Sequence, residues 1–269
     1  MKPSALRVLS LPSLLFILAG CGAAPNSTGS ANPTTNLNGA INWAFHIQDP
    51  DPGGVPPLGL FTGAVAVQGS TAAATLRATG ATTCVAPTFD IQFTGTRDSQ
   101  GILTLNSTNV PGNVITLTAT PTNIALLGPN TFGSLTISGN GPCAFPNGVT
   151  ALLGYEYGPL SGTYTGTLTA TTGATATATL SQAAANTDGQ FPESGSLTVA
   201  TGSCSTTFAL NGLVAGTNFN AALTSTSGSA ATLTATLNNQ SDSPVTVTLA
   251  VTGAGCANAT YTGTLTAQP

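Results

Sequence analysis

Along most of the chain, apolar and polar positions alternate with a period of two. In Val245-Thr-Val-Thr-Leu-Ala-Val251, the residues Val245, Val247, Leu249 and Val251 share one face and Thr246 and Thr248 the other. This is the pattern of a strand with one buried side. Clusters of Gly, Asn, Ser and Pro interrupt the alternation at regular short intervals, as in a sandwich or barrel. The pattern predicts strands near 39–48, 60–68, 71–79, 86–95, 101–107, 112–120, 132–139 and 149–157. A second set follows near 162–170, 174–181, 195–202, 205–212, 217–225, 230–238, 244–252 and 258–267. No segment holds a helical period for more than a turn. Thr occupies the outward positions because its stiff, β-branched side chain suits a pleated backbone.

The two sets of strands repeat each other. Leu76-Arg-Ala-Thr-Gly-Ala-Thr-Thr-Cys84 matches Leu197-Thr-Val-Ala-Thr-Gly-Ser-Cys204, and each leads into an alternating stretch that ends in Gly. Upstream of the next cysteine, Gly133-Ser-Leu-Thr-Ile-Ser-Gly139 matches the Val245–Val251 strand. The chain thus divides into β domains at 39–157 and 161–269, each of ordinary single-domain size. The expected fold is all-β: two tandem antiparallel domains of about eight strands. A meander of eight favours an up-and-down barrel, whose closure removes exposed edges, with a sandwich of two sheets as the alternative.

Composition narrows the function. Charged residues make up only 4% of the chain, against ~25% in typical soluble domains. Lys2 and Arg7 lie in an N-terminal segment expected to be removed, which leaves Arg77 and Arg97 against eight carboxylates. So anionic a chain has no basic patch with which to capture nucleic acid.

That N-terminal segment has a basic start, an apolar run from Val8 to Leu18 and a small-residue end, the organisation of a secretory signal peptide over 1–20. Leu18-Ala19-Gly20-Cys21 resembles the lipobox of bacterial lipoproteins. The resemblance implies cleavage before Cys21 and lipidation of its sulfur, and so an anchor in a bacterial membrane of the cell envelope. Gly22, in place of Asp, points to the outer membrane. Residues 21–38 are small, polar and uncharged, the composition of a flexible tether.

With Cys21 lipidated, four cysteines remain: Cys84, Cys143, Cys204 and Cys256. An exported chain favours disulfides, and four cysteines allow three connectivities. The duplication selects Cys84–Cys143 and Cys204–Cys256, one bridge per domain. A zinc site is disfavoured, because there is no CxxC and His46 is the one histidine.

Gly39-Ala-Ile-Asn-Trp43 and Gly162-Thr-Tyr-Thr-Gly-Thr-Leu-Thr169 resemble the Gly-x-aromatic first strand of lipocalin-like bacterial barrel domains. Gly255-Cys-Ala-Asn-Ala-Thr-Tyr-Thr-Gly-Thr-Leu-Thr266 is similar to their closing strand. The first copy carries Ile41 and Trp43 where the second carries Tyr164 and Gly166.

Catalytic chemistry finds little support. His46 falls on the face of Asn42 and Gln48, opposite Trp43 and Phe45, and is expected to be solvated. No GxSxG elbow surrounds a serine. Asp49-Pro-Asp51-Pro-Gly-Gly54 lacks the Glu that a calcium loop needs at its twelfth position, where Leu60 stands, and reads as a turn. Asp90, Asp98, Glu156, Asp188, Glu193 and Asp242 are scattered. No catalytic residue, metal site or cofactor is assigned.

The candidate ligand-binding residues lie in the aromatic-rich first copy: Trp43, Phe45, Phe61 and Phe93, with Arg77 and Arg97 as planar cations for an acid. The expected function is that of a lipid-anchored envelope protein, a structural or interaction module meeting an envelope polymer or a protein partner. The alternative is a lipocalin-like carrier or sensor of a small apolar ligand in the first barrel. A mouth of roughly 300 Å³ or more beside Trp43 favours the carrier.

Overall fold

The computed structural model describes residues 35–48, 59–80, 89–122, 130–141, 150–170, 173–238, 246–252 and 259–268. The lipobox with Cys21, the Asp49–Gly54 turn, Asp242, and Cys84, Cys143 and Cys256 lie outside them. Cys204 opens the twelfth strand.

The first eight strands are β1 (Ile41–Gln48), β2 (Gly59–Gln68), β3 (Thr71–Gly80), β4 (Asp90–Arg97), β5 (Leu103–Ser107), β6 (Asn113–Pro121), β7 (Thr131–Gly139) and β8 (Thr150–Tyr157). The second eight are β9 (Gly162–Thr169), β10 (Ala174–Gln182), β11 (Phe191–Thr201), β12 (Cys204–Ala215), β13 (Asn218–Ser225), β14 (Ala230–Asn238), β15 (Thr246–Thr252) and β16 (Tyr261–Ala267). Each set pairs antiparallel in sequence order. β8 returns to β1 and β16 to β9, so both domains are closed barrels and not sandwiches.

Burial follows the alternation. Along β13 and β14 the pattern is strictly exposed–buried, with Phe219, Ala221 and Leu223 inward beside Ala231, Leu233 and Ala235. One strand runs longer than its sequence suggests. β11 begins at Phe191, and its ladder to β12 continues unbroken through Pro192 and Gly195, two residues that read as breakers. An eight-stranded barrel is just wide enough to be filled by side chains or to hold one small ligand. Phe45, Phe61 and Phe93 fill the first, and Tyr164, Phe208, Phe219 and Tyr261 the second.

The barrels meet wall against end. The outer face of β1–β3 in the first barrel packs against hairpin tips of the second. Ala44, Ala64 and Ala66, on that outer face, belong to the same apolar cluster as the interior of the second barrel. Leu160, in the link between the copies, joins that cluster with no exposed surface. Gly189 and Gly216 sit at the β10–β11 and β12–β13 turns with φ of +73° and +55°. A Cβ on Gly189 would strike the Thr75 carbonyl, and one on Gly216 the methyl of Thr62. Glycine is therefore required there twice over, for backbone conformation and for closeness.

Candidate functional site

The mouth of the first barrel forms where β1, β3, β5 and β7 begin and β2, β4, β6 and β8 end. It encloses a cavity of about 400 Å³, at the lower end of the range for small-molecule sites. Ile41, Trp43, Val65 and Val67 make one wall and Leu103 and Ala119 the facing one. Small inward residues keep the space open. Beneath it, Gly154 admits the ring of Phe45, because a Cβ there would come within 2.9 Å of that ring. Trp43 lies parallel to Phe45, with ring centroids 5.2 Å apart and planes 6° apart.

The polar groups come from three strands. Glu156 on β8 is the cross-strand partner of Trp43, and burial pushes its carboxyl above the ordinary range. The Glu156 N–H donates to Asn130 Oδ1 at 2.7 Å, holding Asn130 at the rim. Thr131, which opens β7, is 7% exposed and lines the cavity. Its Oγ1 has no hydrogen-bond partner. A buried hydroxyl in that state carries an uncompensated desolvation cost.

Arg97 ends β4 at the rim, exposed, its guanidinium folded over Gly101. The turn below is pinned by Asp98, whose Oδ1 accepts from the N–H groups of Gln100 at 2.9 Å and Ile102 at 2.8 Å.

Of the six candidate residues, the mouth brings together Trp43 and Arg97. Phe45 supports Trp43 from below. Phe61 and Phe93 meet edge to face, 6.4 Å apart, in the solid core. Arg77 faces outward, and its guanidinium is engaged by Asp90, with Nε and Nη2 donating to Oδ1 at 2.8 Å and Oδ2 at 3.0 Å. His46 differs from its expected solvation. It is half-buried, edge-on to Tyr155 at 5.2 Å, and burial lowers its pKa.

Glu156 and Thr131 went unmarked among the candidates, although their phase assigns them to the interior. Glu156 shares its face with Leu152, and Thr131 with Leu135.

A second buried acid lies apart from this mouth. Glu193 on β11 is 1% exposed, and neither carboxylate oxygen has a hydrogen-bond partner. Burial pushes it up to about 8, against a weaker opposing effect of the Ser181 backbone.

Among the described residues, no three His, Cys, Asp or Glu side chains gather as a metal site, and no helix is long and apolar enough to cross a membrane. Neither a protein-family model nor a curated protein matches this chain.

Proposed function

We propose that the protein is a non-catalytic binding protein that holds a small ligand in the mouth of its first barrel, as a lipocalin-like carrier or sensor. The observation that carries this reading is the cavity of about 400 Å³ beside Trp43. It exceeds the volume set above as favouring a carrier. Because Trp43 is the chain's one tryptophan, its emission reports on this site alone. Titration with the small-molecule fraction of a bacterial envelope extract should shift or quench that emission, saturably. A Trp43 signal unmoved by the whole extract would overturn the reading.

The Leu18-Ala19-Gly20-Cys21 motif supports placing this carrier on a lipid anchor at the outer membrane, since several acyl chains on one residue hold a protein stably on a leaflet. A Cys21→Ser variant should move from the membrane fraction to the soluble one; if it stays with membranes, the anchor lies elsewhere.

One observation favours the other reading, contact with an envelope polymer. The outer wall of the second barrel carries cross-strand Thr pairs, Thr198 with Thr207 and Thr232 with Thr252, each with hydroxyls 2.9 Å apart. Pro192, Leu213, Asn220 and Thr232 border a shallow groove on the same wall. Pull-down with purified envelope glycans distinguishes the two.

A further inference from the structure

We infer that the ligand of the first barrel is a compact molecule with a planar apolar body and one acidic group held at the rim by Arg97. This inference rests on the carrier reading and specifies its ligand.

Two features of the mouth each set one part of that description. The Trp43 indole has one face on Phe45, so a ligand meets its other face and its edge. With the aliphatic wall of Ile41, Val65 and Val67, that surface suits a flat, apolar body, because aromatic surfaces favour offset stacking and edge contacts.

Charge sets the second part. Among the described residues, Arg97 is the one cation lining the cavity, and a guanidinium recognises a carboxylate or similar anion through a planar, two-point contact. The mature chain's other arginine, Arg77, is engaged by Asp90 on the outer wall. Glu156 lies in the cavity lining as well. Its acid excludes a second anion from the interior, so the acidic group stays at the rim.

The test uses the full mature chain and three naphthalene probes that share one ring system: 2-naphthoate, 2-naphthalenemethanol and 2-naphthylmethylammonium. Affinities are measured by calorimetry. The naphthoate should bind about fivefold tighter than the alcohol, as a partly solvated charge contact provides, and tighter than the ammonium. Arg97→Gln, at an exposed position, should erase the preference of carboxylate over alcohol. Equal affinities for all three probes, a preference for the ammonium, or no binding of any would overturn this ligand class. The carrier reading fails separately, when Trp43 does not respond to the envelope extract.

Discussion

Asn42 and Gly216, 174 residues apart, clasp one another across the two barrels. The Asn42 side-chain amide donates to the Gly216 carbonyl at 2.9 Å, and its Oδ1 accepts from the Gly216 N–H at 2.6 Å. A side-chain amide thereby serves both backbone groups of a turn residue at a buried site, much as a neighbouring strand would. Replacing Asn42 with Leu keeps the size and removes both bonds, leaving a buried N–H and C=O unserved. The expected cost is about 2 kcal/mol. Denaturant unfolding of the variant should also separate into two transitions as the barrels uncouple; a single transition at the wild-type midpoint contradicts this account of the seam.

Glu193 sets the pH response on the alkaline side. Its native pKa is raised to about 8 from an ordinary 4.5, so between those values the unfolded chain gives up a proton that the native chain retains. Its contribution to stability is therefore fullest below about 4.5, declines as pH rises towards about 8, and levels off above it. Glu193→Gln should flatten this decline in a series of melting temperatures. Tyr164, whose own pKa burial and the Glu193 charge both raise, should lose the second of these effects in that variant.

His46 acts at the acid end. Burial lowers its pKa below 6.5, so the unfolded state takes up a proton first, and stability falls as pH drops below that value. His46→Gln should remove this acid-side loss while leaving the Glu193 response intact.

Thr131→Val offers an unusual sign. It removes a buried hydroxyl without a partner and keeps the β-branched shape, so the ligand-free protein should gain roughly 1 kcal/mol. The denaturation midpoint should rise at unchanged slope. A loss of stability would mean that the hydroxyl is already satisfied.

The two arginines should separate stability from binding. Arg77→Ala breaks a partly exposed ion pair with Asp90 and should cost no more than about 1 kcal/mol, with affinity for 2-naphthoate unchanged. Arg97→Ala should do the reverse, leaving the melting temperature in place and weakening that affinity.

Much of the fold was legible because a barrel strand writes its two environments in alternation. All sixteen strands follow from that period, and the short meander loops imply their order. β11 exceeds its expected range because Pro192 and Gly195 resemble a boundary, which leaves Glu193 outside the expected strand even though it keeps phase with Phe191 and Leu197. Within the site, Trp43 and Arg97 stood out as rare residue types. Thr131 did not, since Thr is commonplace in this chain and only its inward phase sets it apart.

The seam between barrels left no local signature. Ala44, Ala64 and Thr62 look like any small residues on an outward face, and nothing within one strand tells which outward face will meet another barrel. The half-burial of His46 has the same origin: alternation separates inside from outside but does not say whether the outside is wet.

β1 illustrates where that ambiguity leads. Trp43 and Phe45 turn towards the cavity and core, while Asn42 and Ala44 turn towards the second barrel. An ordinary barrel strand has one guarded phase and one that drifts, so half its positions record little history. In β1 neither phase is at liberty. Among descendants of the same duplication, this strand should be the slowest to diverge, and its counterpart β9, with Thr163, Thr165 and Thr167 between its inward residues, should vary at every second position.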